Sequence, residues 1–360
     1  MGVSKFRVRL WDTTGSGRGR GNFKADIQDA GEIGAAETAN AAGECFFTLP
    51  WNHPAINEIQ PLQRHIEIAR WSASLFDWVP IWAGIMDDFD ATKDEIVVYG
   101  QDYLSLYDGT ISAANTSYTS ATIGSIITDQ VSAARAEPNS RVNFISIGSI
   151  DATTVTTTVL TSYQQRLQFI SGLTDICAAG RSVRSIIQVS PRSSATPSFK
   201  FTENQGSNKP NVRLEYNALI NDFHYRPGYA DLRTRVNAIG QKREGATLLF
   251  STQTYASETA YGWLATPTVF IDIVDQAALD KRTLRTARQV GRIPKNVAIA
   301  LTVHGLAPWD GYDLGDSVPL TINRGIISLS GAYFTIWGQE WTGHKDGSET
   351  LHLSLLPQDT

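Results

Sequence analysis

Side chains that could do chemistry are present in this chain, but not at the spacings that chemistry needs. Asp87, Asp88, Asp90, Asp94 and Glu95 form an acidic run. A calcium-binding EF-hand loop starting at Asp88 would require Gly at its sixth position and Glu at its twelfth, where Lys93 and Tyr99 stand. The run therefore reads as a solvated hairpin turn. Gly15, Gly17, Gly19 and Gly21 with Arg18 and Arg20 suggest a phosphate cradle, yet neither a Gly-Lys-Ser/Thr ending nor an apolar helix follows. A loop is the reading, with Arg18 and Arg20 as candidate contacts to a neighbouring subunit or to passing DNA. His53, His65, His224, His304, His344 and His352 include no pair at metal-ligand spacing. No Gly-x-Ser-x-Gly elbow is present, and neither Cys45 nor Cys177 has a catalytic signature around it. The pattern predicts no catalytic centre, no metal and no cofactor.

The indoles could instead recognise. Trp71 and Trp82 lie in alternating segments and read as core or interface anchors. Trp51 between Pro50 and Pro54, and Trp309 after Pro308, sit in loops and are candidates for contact between chains. A sugar-stacking platform built from such residues is the alternative reading, a carbohydrate- or receptor-binding β module.

What positions these residues is mostly strand. Lys5 to Trp11, His65 to Trp71, Pro80 to Met86 and Glu95 to Tyr99 alternate apolar and polar residues between Gly, Pro, Asn and Asp clusters. They predict an antiparallel barrel over 1–107, with residues 12–44 as a long Gly- and Ala-rich loop. Residues 108–222 turn Ser-, Thr- and Ala-rich. Ile123, Ile126, Ile127, Val131 and Ala134 fall on one helix face, and Ser162 with Gln165 caps a second helix whose buried stripe is Tyr163, Leu167, Ile170, Leu173 and Cys177. With strands at Val183 to Val189 and Ser198 to Thr202, this is a mixed α/β insert. Residues 223–360 return to strand chemistry around one helix at about 275–290. On that helix Leu279, Thr283, Ala287 and Val290 make the inner face, while Lys281, Arg285, Arg288 and Arg292 make a basic stripe that is either solvated or a contact between subunits.

The two β regions also resemble each other. Ile81-Trp82-Ala83-Gly84 precedes a charged turn, an alternating strand and Gln101-Asp102; Ile336-Trp337-Gly338 precedes the same succession, ending at Gln358-Asp359. The predicted fold class is mainly β with an α/β insert: two related antiparallel β-barrels flanking a small α/β domain.

Four segments, in this order, resemble a known family: Trp82 to Leu106, Gln165 to Gly180, Asp231 to Gly240 as the return into the second barrel, and the Leu314-Gly315-Asp316-Ser317-Val318 element before the last sheet. The chain resembles the baseplate or tail-tip hub proteins of long-tailed bacteriophages, in particular siphophage minor tail proteins that share the hub fold of contractile tails. The resemblance implies a homotrimer that adapts a sixfold tail tube to a threefold tip in the virion. It implies, as neighbours, a distal tail or tail-tube protein, the C-terminus of the tape-measure protein, and receptor-binding or central-fibre proteins. It implies DNA only in transit through the channel, and no membrane insertion.

Composition fits that expectation. The 360 residues exceed one ordinary hydrophobic core and suggest two or three domains. A net charge of −5 argues against sequence-independent nucleic-acid binding and suggests a channel that repels phosphate. Charged residues are only 19% while Trp alone numbers 9, so part of the surface is expected to be hidden between subunits.

Overall fold

In the computed structural model, residues 5–14, 19–72, 75–112, 116–138, 140–161, 164–178, 185–190, 196–216, 218, 220–227, 232–241, 248–255, 257–270, 273–291, 295–302 and 312–357 are described. The first region supplies β1 (Phe6–Thr14), β2 (Gly19–Ile27), β3 (Glu32–Thr38), β4 (Glu44–Pro50), β5 (Arg64–Ser72), β6 (Asp77–Ala91) and β7 (Glu95–Asp102). Alternation builds β1 as expected: Phe6, Val8 and Leu10 are buried, while Arg7 and Arg9 turn to Asp26 and Glu67 on the other face. Residues 12–44 are not the loop their composition suggested; they carry the end of β1, all of β2 and all of β3. The small residues there serve packing, since a Cβ on Gly34 would overlap the Phe46 ring on neighbouring β4.

The middle region contains α1 (Ser105–Asp108), β8 (Ser117–Thr122), α2 (Ile123–Ala136), β9 (Ser146–Ile150), β10 (Thr156–Leu160), α3 (Arg166–Ala178), β11 (Ile186–Ser190) and β12 (Ser198–Thr202). Thr122 caps α2 by accepting from Ser125 N–H, and the predicted apolar face is buried. The proposed cap at Ser162 and the first residue of the proposed stripe, Tyr163, lie outside the described residues.

The last region holds β13 (Leu214–Glu215), β14 (Ile220–Pro227), β15 (Arg235–Gly240), β16 (Phe250–Thr254), α4 (Glu258–Tyr261), β17 (Ala265–Phe270), α5 (Gln276–Val290), β18 (Lys295–Thr302), β19 (Ser317–Arg324), β20 (Ile327–His344) and β21 (Glu349–Pro357). Here the segment at Arg233 to Ile239 departs from expectation. It does not return into the large sheet; β15 pairs with β16 and β17 in a separate sheet of three strands on which α5 packs. Ala238, Phe270, Ile273, Ala278 and Leu279 of this unit share one apolar core with α2, α3 and β12. The second core lies within the large sheet and draws on both chain ends, from Phe6 to Leu355.

The large sheet has thirteen strands, and its main path runs β14-β18-β21-β20-β3-β4-β7-β6-β5-β1-β2. The chain is mainly β with an α/β insert, as predicted. The two β regions form one continuous sheet; in the second, β13 pairs with β19, and Tyr216 beside it bridges Ile220 of β14. The sheet contains the same order twice: β3-β4-β7-β6-β5 along the path, and β14-β18-β21-β20 along the path with β19 branching from β20. Their irregularities coincide as well. A shift between Met86 and Asp88 on β6 matches one between Ile336 and Gly338 on β20, and a second shift follows on the β5 and β19 sides.

This superposition of bulges sets Met86 with Ile336 and Trp82 with Ala332. The duplication is thus real in topology, but Trp82 and Trp337 are not equivalent positions. Trp82 is fully buried, whereas Trp337 sits at the bulge of β20 and is half-buried.

Candidate assembly interface

The two halves meet at one joint. β20 is long enough to pair with β19 along Ser317 to Arg324 and then with β3 further along the same edge, while β21 covers its other edge. The joint runs from Gly338 opposite Thr38 to His344 opposite Glu32. Gly338, from the Ile-Trp-Gly segment, opens this pairing. Two buried carboxylates sit at or beside it. Glu37 accepts from Gln339 Nε2 at 3.1 Å across the joint. Asp102 accepts from Leu104 N–H at 2.9 Å and Ser105 N–H at 3.4 Å at the entrance to α1. Burial, with the Glu37 charge adding to it, pushes the Asp102 carboxyl up to about 7.

A second link between the halves is ionic. Glu349 of β21 is buried and accepts from Arg70 Nε at 2.8 Å and Nη2 at 3.2 Å, with Lys5 Nζ at 2.8 Å. Within the first half Glu67 is held in the same way, by Arg20 at 2.8 Å and Arg9 at 3.3 Å. Arg20, a candidate contact to a subunit or to DNA, is thus engaged within the chain. It is buried, ion-paired and stacked over the Trp11 ring at 5.1 Å.

The remaining predicted residues are dispersed. Trp51 is exposed and donates its indole N–H to the Thr92 carbonyl at 2.9 Å, bracing the turn between β6 and β7. Gly84 lies where the Gln101 carbonyl approaches so closely that a Cβ would overlap it. Leu314-Gly315-Asp316 is a clamp: Gly315 has φ +89°, and buried Asp316 accepts from Ser207 N–H at 2.7 Å and Asp313 N–H at 2.9 Å. It ties the end of the insert to the start of β19.

On α5, Lys281 is exposed while Arg285 and Arg288 are half-buried. The stripe is partly internal, because Arg285 and Arg282 act on Asp175 of α3, whose carboxyl is nevertheless raised by burial. Arg18, Arg292 and Trp309 lie outside the described residues.

Sequence reasoning missed the apolar hairpin tips. The β5–β6 turn exposes Leu75 and Phe76, at 65% and 81%, and the equivalent β19–β20 turn exposes Ile326 fully. Single apolar residues in turns carry no periodic signal; only the duplication pairs them.

No protein-family model matches the sequence, and no curated relative does. Solved structures do match. The 43 kDa tail protein of prophage MuSo2 from Shewanella oneidensis aligns over 98% of this chain and 99% of its own, with a TM-score of 0.66 at 14% identity. A tail protein from Neisseria meningitidis aligns over 98% and 96%, with a TM-score of 0.65 at 11% identity. Prophage tail protein gp18 from Listeria monocytogenes aligns over 96% and 94%, with a TM-score of 0.57 at 12% identity. At these identities the likeness is one of fold, and this chain has the fold of phage tail proteins.

Proposed function

We propose that this chain is a structural hub of a phage tail tip, three copies of which close into a ring around the DNA path. The observation that carries the reading is the repeated strand order within a chain whose whole length has a tail-protein fold. Three chains with two equivalent units each present six units, so a threefold ring meets a sixfold tube without mismatch. The hairpin tips support this: Leu75 with Phe76, and Ile326, occupy equivalent turns, and a ring of three offers six apolar tips to one partner.

That partner is a distal tail or tail-tube protein. The tape-measure C-terminus and receptor-binding or central-fibre proteins are the further neighbours, and the chain resides in the virion. Its work is assembly and passage, with an acidic net charge that disfavours adhesion of DNA phosphates to the channel.

Native mass spectrometry of the full chain tests the reading, with a species of three times 39.4 kDa expected. Phe76→Ser combined with Ile326→Ser should leave that mass unchanged and abolish capture of purified tail tubes. A chain that stays monomeric at all concentrations, or tubes captured equally by the variant, would overturn it.

A further inference from the structure

The three-stranded sheet of β15, β16 and β17 is covered on one face only. Val236, Ala238, Ser251 and Phe270 are buried on the side where α5 packs. The opposite side is open among the described residues, and it is apolar for an open side. Register places Phe250, Ile239 and Val269 in one row across the three strands, with Phe250 60% and Val269 63% exposed. By contrast, the sheet β11-β12-β9 turns Gln188, Ser190 and Lys200 away from the core.

The next row of the open face has Asn237 between Thr252 and Pro267, and the last has Arg235 between Thr254 and Ala265. Trp263 lies over this last row. The Arg235 guanidinium is 4.4 Å from its ring centroid, so protein backs one indole face while the residue remains 68% exposed. Two devices hold the ring there. Glu258 accepts from Arg235 Nη2 at 2.9 Å and Nε at 3.4 Å. Buried Thr234 donates its hydroxyl to the Gly262 carbonyl at 2.7 Å and accepts from Leu264 N–H at 2.8 Å, gripping the residues on either side of Trp263. A side chain fixed in advance gives up little freedom when a ligand arrives.

We infer that this face is a binding platform for a neutral, extended polysaccharide, of the β-linked kind whose sugar rings lie in a flat ribbon. The ring-face hydrogens of a pyranose carry partial positive charge and meet the negative face of an indole. The hydroxyls at the rim of the sugar need partners, and the face offers them. Asn237 Oδ1 accepts from Thr252 Oγ1 at 3.1 Å, which leaves the Asn237 amide N–H groups, like the Trp263 indole N–H, with no partner among the described residues.

Charge and size select the same occupant. Arg235 is the one charged residue of the three strands, and Glu258 neutralises it, so an anionic chain meets no uncompensated cation on them. Two strand spacings and four residue rises make the face about 10 Å wide and about 14 Å long, on the order of 300 Å² with its overhanging rings. A stable protein interface buries about 800 Å² on each partner. The face falls well short of that and suits a few sugar rings lying flat. It lies off the large sheet, so the inference stands apart from the ring proposed above.

Calorimetric titration of the full chain with cellohexaose and with chitohexaose tests the platform. At least one of these β-linked hexasaccharides should bind, and maltohexaose, whose α-linkages coil the chain, should bind at least tenfold more weakly. Trp263→Ala should weaken binding at least tenfold at an unchanged melting temperature, and Asn237→Ala should weaken it about fivefold. Trp51→Ala removes an exposed indole elsewhere and should leave binding unchanged.

Binding of neither β-linked hexasaccharide, or equal binding by the Trp263→Ala chain, would overturn the inference. So would loss of the three-chain mass in Trp263→Ala with Phe250→Ser, since the face would then be a protein contact. A native chain that stays monomeric and still binds the hexasaccharide overturns the ring and leaves the platform standing.

Discussion

Asp102 makes the joint between the two halves sensitive to pH, and the sign of the effect follows from its surroundings. The residue retains some surface, but its carboxyl is enclosed and lies near the Glu37 charge, which together push it up to about 7 from an ordinary 3.8. The folded chain then holds a proton that the unfolded chain releases across that window. The resulting stabilisation is fully present below 3.8 and is lost as pH rises through about 7. Between pH 5 and pH 8 about two pH units of this linkage are traversed, about 2.7 kcal/mol at 1.36 kcal/mol per unit. Asp102→Asn keeps an oxygen to accept from Leu104 and Ser105 and removes the titration. Relative to the native chain it should gain about 2.7 kcal/mol on going from pH 5 to pH 8. At a urea slope of ~3 kcal/mol/M, that is a midpoint shift of about 1 M. Equal midpoints for variant and native chain at both pH values, or a native chain that gains on the variant at pH 8, would refute the reasoning.

Two further perturbations probe the packing of the halves. Glu349→Gln removes the buried carboxylate charge that Arg70 and Lys5 share and should cost about 3 kcal/mol in urea unfolding; the half-exposed Lys5 adds little. Replacing both partners, Glu349→Leu with Arg70→Met, should recover most of that loss. Gly34→Val forces its side chain into the Phe46 ring and should cost about 1–3 kcal/mol, with Phe46→Ala in the same chain relieving part of it. Thermal melts of the single and double variants read both effects.

Elements whose side chains alternate or repeat at helical spacing were legible in the sequence. The Phe6, Val8, Leu10 alternation marks β1, and the inner face of Leu279, Thr283 and Ala287 places α5 within a residue or two. β3 was not legible, because Gly34, Ala35 and Ala36 have neither branching nor bulk, and what makes them a strand is Phe46 lying across them. The duplication was visible for a misleading reason. Ile-Trp recurs in both halves, but strand equivalence follows the bulges at Met86 and Ile336, and nothing local in the residue types announces a bulge. Glu67 and Glu349 were likewise invisible as sites, since the arginines that hold them come from distant strands.

The open sheet poses a problem that its own edges answer. The sheet path ends at β14 and β2, and beyond Met86 β6 has only β7 as a described neighbour; strand edges of this kind template pairing with any exposed strand. On β6 the hazard is met by local charge: Asp87, Asp88 and Asp90 are exposed along the outer half, and Asp88 occupies the Phe89 N–H. On β14 it is met by Pro227 and by exposed Asp222 and His224 between the core-facing Phe223 and Tyr225. Both devices keep an edge from templating a stray strand, and on β6 they do so while Phe89 is left 42% exposed.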